Sequence, residues 1–288
     1  MRHVAFLTLE DRAGYVIDDA VAIDHLARQG WRVDEVPWRR EGVRWRDYDG
    51  VVIRTTWDYQ RDLDGFLAAL ARIEASGAPL ANDLATVRWN ARKTYLRDLA
   101  SRGVQIVPTR WGAGISVDSL RGLAEGFGPL GGVIKPVVSA NADDTFRVDR
   151  ATPDDVLREI STTFAGRDWM LQPFVARVLD EGEVSVFYFG GEASHAIVKR
   201  PREGDFRVQE EHGGIITPLP LDPALLTVTD RVMSSLDRVP LQARVDLVRL
   251  DDGSLALMEL EAIEPSLYFR TDPGAAGRFA DALSRWLG

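Results

Sequence analysis

Apolar and polar positions switch between two periods along the first third of the chain. HVAFLTL at residues 3–9 is a short apolar run that reads as a buried strand. Val16, Ala20, Ile23 and Leu26 then recur at helical spacing up to Gly30, a residue suited to the left-handed position that ends a helix. WRVDEVP (31–37) alternates with period two, and VVIRTT (51–56) reads as a second buried strand. Phe66, Leu67, Leu70 and Ile73 mark another helix, stopped by Gly77. Strands separated by helices in this order predict a small parallel sheet. A helical stretch from about Leu84 to Arg102 leads out of it.

The second half changes to hairpins. GGVIKP (131–136), WMLQPF (169–174), EVSVFYF (183–189) joined by Gly190-Gly191 to EASHAIVK (192–199), and LQARVDLVRL (241–250) joined by Asp-Asp-Gly to SLALMELE (254–261) all read as strands. A helix is expected from Thr152-Pro153, with Asp155 completing a capping box, and two more over 222–236 and 273–287. Strands and hairpins flanked by helices give an α+β second part behind an α/β first part.

Composition narrows the class. A hydrophobic fraction of 45% with 27% charged residues permits a sizeable core in a soluble protein. The absence of cysteine removes disulfide frameworks, thiolate metal sites and thiol nucleophiles. The N-terminal apolar run is broken by acidic residues within a few positions, so it reads as a strand and not a signal peptide. No run approaches the ~20 apolar residues that span a bilayer, and a cytoplasmic protein is expected. The net charge of −9 speaks against nucleic acid as a partner. It also makes any local cationic cluster informative. Only Lys93, Lys135 and Lys199 of the 35 basic residues are lysines, which singles them out as positions needing a compact ammonium.

Two places carry candidate chemistry. In parallel sheets ligands gather at the carboxyl ends of strands, so Arg54, Thr55, Trp57 and Asp58 are candidate substrate contacts, with a packed strand end as the alternative. The hairpin at 241–261 is more specific. With a two-residue turn centred on Asp252-Gly253, Asp246 faces Glu259 and Arg244 faces Glu261. Val245, Leu247, Ala256, Met258 and Leu260 then form the core face, and Arg244, Asp246, Glu259 and Glu261 the other. Three neighbouring carboxylates repel, one arginine cannot neutralise them, and a hard divalent cation can. A solvated charged face with an Arg–Glu pair is the plainer alternative.

With these residues in view, the chain resembles the ATP-grasp superfamily, in its glutathione-synthetase and RimK-like branch. Within it the similarity runs to the O-ureido-serine cyclo-ligases of cycloserine biosynthesis and their relatives. It is carried by TTWDY (55–59), VRWNARKTYLRDLA (87–100), VPTRW (107–111), VIKPVVSANADDTFR (133–147), LQPFV (171–175), KRPREGDFRVQEEHGG (199–214), and ARVDLV with LMELEAIEPSLY (243–248, 257–268). The resemblance implies an N-terminal α/β domain over 1–88 and an ATP-grasp domain over 89–288, with subdomains of about 103–172 and 173–288 clasping a nucleotide.

It also implies roles. Lys93 and Lys135 resemble the two lysines that grip ATP phosphates. Gln172, Pro173, Phe174 and Val175 resemble the hinge that meets the adenine edge, and Glu183 the acid that binds the ribose. Asp246, Glu259 and Glu261 fall where relatives hold Mg²⁺, as one ion or two; many relatives carry Asn at the last position. Lys199, Arg200 and Arg207 resemble the cations around the transferred phosphoryl group, and Arg244 the group holding the acyl phosphate or the attacking centre. Glu264 and Ser266 line the acceptor site by resemblance. The loop after Lys135 departs from the usual glycine-rich form; VVSANADDT offers Ser139 and Asn141 as side-chain donors, or as contacts to substrate.

The implied activity is ATP- and Mg²⁺-dependent ligation of a small, amino-acid-like carboxylate to an amine, by cyclisation or between molecules, through an acyl phosphate. The implied assembly is a homodimer or homotetramer, with no nucleic-acid or membrane partner. A phosphotransferase on the same scaffold and a non-catalytic nucleotide-binding protein are the rival readings. The four histidines lack metal-ligand spacing and read as structural or solvated.

Overall fold

A computed structural model describes all residues 1–288, and three sheets organise it. The first is parallel, in the order β2-β1-β3-β4, and is built from β1 (His3–Thr8), β2 (Arg32–Pro37), β3 (Gly50–Thr55) and β4 (Leu80–Ala81). Helices α1 (Asp19–Arg28) and α2 (Leu63–Ala75) connect its strands. Gly30 and Gly77 close these helices in the left-handed conformation (φ +80° and +84°), where only glycine is free of steric cost. Helix α1 begins at Asp19, so Val16 lies in the loop before it, not on its apolar stripe.

The stretch 84–102 is two helices, α3 (Leu84–Asn90) and α4 (Tyr95–Ser101). The interruption has a cause. The Lys93 N–H donates to Val137 O (2.8 Å), and the Asn90 amide bridges Leu260 O (2.9 Å) and Ala262 N–H (2.8 Å). Long-range partners have displaced the helical ones, and Lys93 is turned inward.

The second sheet is antiparallel, in the order β5-β8-β6-β7, from β5 (Arg110–Ala113), β6 (Gly132–Pro136), β7 (Phe146–Val148) and β8 (Asp168–Pro173). Helices α5 (Val117–Glu125) and α6 (Asp154–Thr163) pack on it through Leu120, Leu157, Ile160 and Phe164. The expected capping box at α6 is absent. Thr152 instead closes a turn with Asp149, accepting from its N–H at 2.9 Å, and Pro153 takes the cap position. At the start of β6, Gly131 has φ +69°, and an added Cβ would stand 2.0 Å from Val148 O. Gly131→Ala is therefore expected to lower stability by about 2–3 kcal/mol, from strain plus a backbone clash, as read by urea denaturation.

The third sheet is the largest, antiparallel in the order β11-β10-β9-β12-β13, from β9 (Glu183–Phe189), β10 (Glu192–Arg200), β11 (Ile215–Leu219), β12 (Gln242–Arg249) and β13 (Leu255–Glu261). Helices α7 (Arg177–Asp180), α8 (Pro223–Ser234) and α9 (Ala275–Leu287) accompany it. Phe279 of α9 packs between Phe6 of β1 and Phe189 of β9, which ties the first sheet to the third. No helix is long and apolar enough to cross a membrane.

The β12–β13 hairpin differs from expectation in an instructive way. Its loop holds three residues, Asp251–Gly253, with Gly253 left-handed at φ +85° and Leu250 bonded to Ser254 O at 2.9 Å. Next to the turn Leu247 therefore pairs with Leu257. The register then shifts at Met258, so that Asp246 faces Glu259 and Arg244 faces Glu261, as expected but for a different reason. The bulge also reverses the alternation. Leu257 joins Leu247 and Leu260 in the core, while Ala256 packs with Val248 and Met258 turns to the opposite face, correcting the expected core face.

Candidate active site

A cleft of roughly 1620 Å³ out to its open mouth lies where β6 and β8 of the second sheet face β9, β12 and β13 of the third. Loops after β1 and β3 close one end, and the 206–211 segment another. Its lining divides into a charged floor and an apolar half, an arrangement that suits two ligands side by side.

Charge is packed densely on its floor. Asp246, Glu259 and Glu261 bring carboxylate oxygens within 4.8 Å of one another. Each also meets a cation: Lys93 Nζ lies 2.5 Å from Glu259, Arg244 Nη2 2.5 Å from Glu261 and 3.0 Å from Asp246, and Lys199 Nζ 3.4 Å from Asp246 and 2.6 Å from Glu183. The hairpin viewed alone undercounts cations, because Lys93 and Lys199 arrive from other elements. Repulsion within the hairpin is thus no longer an argument for a metal. The geometry still is, since three hard oxygen donors converge on one point.

These contacts set the ionisation. Burial works against the Asp246 charge, but Arg244 and Lys199 outweigh it and hold the carboxyl at about 2. Burial likewise opposes the Lys199 charge, and Asp246 and Glu183 overcome it, keeping the ammonium firmly protonated. Glu261 goes the other way: burial, with Glu259 and Asp246 nearby, exceeds the pull of Arg244 and lifts it to about 7. A metal ligand must be ionised, so Mg²⁺ affinity should rise as pH rises through about 7 and fall by up to about tenfold per unit below it. Calorimetric titration with Mg²⁺ in the presence of ADP checks this, and Glu261→Gln should flatten the slope.

The other half of the cleft suits a nucleotide. Val133, Phe174, Val178, Phe206, Val208 and Met258 form an apolar slot. Pro173 has no N–H, and the Phe174 N–H donates to Gly131 O at 3.1 Å, which leaves the Val175 N–H as the hinge amide open to a ligand. The Gln172 side chain donates to Thr109 Oγ1 at 3.1 Å, and its backbone pairs with Val133 of β6 in the sheet. Lys135 lines the slot's inner end. The one hydrogen-bond partner of its ammonium is the Met258 sulfur at 3.8 Å, and burial pushes that ammonium below the ordinary lysine value.

Of the sequence-predicted residues, Lys93, Lys135, Gln172, Pro173, Phe174, Val175, Glu183, Lys199, Arg207, Arg244, Asp246, Glu259 and Glu261 line the cleft, as do Trp57, Ser139, Asn141, Glu264 and Ser266. Four do not. Arg54 is 1% exposed and donates to Asp19, Gln242 and Pro265 O, so it is structural. Thr55 is buried against Thr8 (2.7 Å), and Asp58 accepts from Trp38 Nε1 (2.7 Å) on the far side of the strand end. Arg200 follows Lys199 on a strand, so alternation turns it outward to Asp180 O (3.2 Å). Arg207 lines the cleft but is held by Asp205 at 2.9 Å.

Tyr15, Tyr59, Asn90, Phe206 and Tyr268 also line it and were not foreseen. Most sit in loops or at breaks between elements, where no periodicity marks them. Tyr268 has φ +46°, a conformation that sequence pattern does not signal. The glycine-free loop places Asn141, Ala142 and Asp144 at positive φ as well.

Comparison with known proteins agrees with this picture. The family described as D-cycloserine synthetase DcsG, N-terminal domain, matches residues 4–82. The cycloserine biosynthesis protein DcsG of Streptomyces lavendulae is 30% identical over 262 residues, 87% of each chain. The crystal structure of D-cycloserine synthetase DcsG aligns with a TM-score of 0.86 at 29% identity, covering 99% of this chain and 100% of that one. The D-alanine–D-alanine ligase of Bacillus anthracis shares the fold at a TM-score of 0.71 and 15% identity, over 100% of this chain and 97% of its own.

Proposed function

The chain belongs to the D-cycloserine synthetase (DcsG) family of ATP-grasp enzymes, ATP-dependent ligases forming C–N bonds, and from that premise we propose that it activates a small amino-acid carboxylate as an acyl phosphate. The observation that carries this reading is Lys135: a desolvated ammonium without an anionic protein partner, facing a carboxylate trio across a cleft with an apolar slot. Such a group calls for an anionic ligand, and a nucleotide phosphate meets the need.

The adenine fits the slot between Phe174 and Met258, with the Val175 N–H as donor and Glu183 toward the ribose. Lys93 and Lys135 grip the phosphates. Asp246, Glu259 and Glu261 would hold Mg²⁺, as one ion or two, which would supply charge neutralisation for the phosphates. A substrate carboxylate oxygen attacks the γ-phosphorus and ADP leaves. Lys199, Arg207 and Arg244 surround the negative charge that spreads over the transferred group. An amine nitrogen then attacks the acyl carbon, phosphate departs, and the nitrogen gives up a proton. Closure by the 206–211 segment excludes water, which would otherwise hydrolyse the acyl phosphate.

The S. lavendulae relative is named for cycloserine biosynthesis, and we extend that to the substrate: O-ureido-serine, closed into a ring without a second amine. The test is release of ADP and free phosphate with Mg²⁺, ATP and a panel of amino acids, dipeptides and O-ureido-serine. Equimolar release of both with O-ureido-serine alone, giving a cyclic product, supports cyclo-ligation. ADP with a phosphorylated product and no free phosphate favours a phosphotransferase. Nucleotide binding with no release across the panel contradicts the proposal.

A further inference from the structure

The segment following β13 is clamped carbonyl by carbonyl. Asn82 Nδ2 donates to Ala262 O (2.7 Å), Gln242 Nε2 to Ile263 O (3.2 Å), Trp57 Nε1 to Glu264 O (2.8 Å), Arg54 Nη1 to Pro265 O (3.2 Å) and Arg244 Nη1 to Ser266 O (3.5 Å). Five successive carbonyls are thus held by five side chains, from β3, the loop after it, the residue just past β4, and β12. Backbone fixed this firmly presents its own side chains with little freedom, and the two that reach the cleft are Glu264 and Ser266.

Glu264 is the odd group among the acids here. It is 6% exposed and lines the cleft, yet no other residue donates a hydrogen bond to its carboxylate and it forms no ion pair. The neighbouring cations are spoken for: Lys93 by Glu259, Arg244 by Asp246 and Glu261, Lys199 by Glu183 and Asp246. It also stands outside the trio of converging carboxylates. Beside it lie Trp57, whose indole N–H donates to the Glu264 backbone carbonyl, and Tyr15, whose ring is tilted 54° to that of Trp57 with centroids 5.3 Å apart. A buried, unpaired carboxylate in a cleft lined also by Tyr15, Trp57 and Tyr59 is complementary to a small organic cation.

We infer that Glu264 receives the α-ammonium group of an amino-acid substrate, so that the rigid 262–266 segment selects amino acids over carboxylic acids lacking the amine. The inference rests on the proposed amino-acid substrate class and adds to it the residue that reads the amine. In that arrangement the substrate carboxylate points away from Glu264, toward Arg244 and the transferred phosphoryl group. Arg54 acts only as a positioning residue, through the Pro265 carbonyl.

The experiment compares binding of O-ureido-serine with that of 3-(ureidooxy)propanoic acid, which lacks only the α-amino group, by calorimetry with Mg²⁺ and ADP present. Wild-type protein should prefer the amino compound by about tenfold or more, the worth of a charge-assisted hydrogen bond in a desolvated site. In Glu264→Gln the two should bind about equally, with ADP and Mg²⁺ affinities unchanged, and Glu264→Ala should behave alike. Absence of a preference in wild type, failure of both compounds to bind, or a preference retained in both variants overturns the inference. So does a weakened Mg²⁺ affinity without loss of the preference, which makes Glu264 a metal ligand instead. Turnover is read separately: a Glu264-dependent preference without ADP release contradicts the ligase proposal alone, and ADP release without the preference contradicts this inference alone.

Discussion

Lys135→Ala is expected to reduce ATP turnover by about a hundredfold or more while leaving the folding transition where it is. The first half follows from position. A cation aimed at a transferring phosphoryl group in a desolvated cleft contributes on the order of 10²–10³ in rate. The second half follows from what Lys135 lacks. With only the Met258 sulfur beside its ammonium, truncation strands no buried anion and removes a charge that burial disfavours. Glu259→Gln should act similarly on rate, because it takes one carboxylate from the trio proposed to hold the metal while Lys93 keeps the Ser139 carbonyl at 3.0 Å. Initial rates of ADP release and a thermal melt check both halves. Near-normal rates in either variant would sink the site assignment.

The second large effect falls on stability. Arg54→Met should lower the unfolding free energy by about 3–5 kcal/mol, since breaking a buried pair leaves an uncompensated charge. Asp19, 2.6 Å from the guanidinium and buried with it, would be that charge, and the carbonyls of Pro265 and the Gln242 side chain would lose their donor. Urea denaturation at neutral pH reads the loss. Asp19→Asn combined with Arg54→Met should recover part of it, because the stranded charge is then gone. A variant as stable as wild type would show that Asp19 finds another partner. Loosening of the 262–266 segment is the route by which this substitution also weakens substrate binding.

Arg54 shows what could be read from the sequence and what could not. The VVIRTT strand and its parallel sheet were legible from apolar runs and helix stops, because those express burial directly. Which way an arginine at a strand end turns depends on the far residues Asp19, Gln242 and Pro265, and no local pattern records them. The hairpin makes the same point. The pairing of Asp246 with Glu259 was legible, yet it arises from a three-residue loop offset by a bulge at Met258, and only the core face betrayed the difference. Lys93, Lys135 and Lys199, which the lysine skew singled out, all line the cleft. Tyr15 and Tyr268 gave no signal, since loop residues enter a site through tertiary placement alone. The family resemblance rested on short ordered motifs spread along the chain, and the match to the S. lavendulae DcsG over 87% of each chain meets it.

The central claim is that a substrate carboxylate takes the γ-phosphoryl group of ATP in this cleft. The most direct measurement uses O-ureido-serine with both carboxylate oxygens replaced by ¹⁸O, followed by mass analysis of the released phosphate. The account predicts one ¹⁸O atom in each phosphate, carried over when the acyl phosphate breaks at its carbonyl carbon. Phosphate formed in step with product but free of ¹⁸O would contradict it.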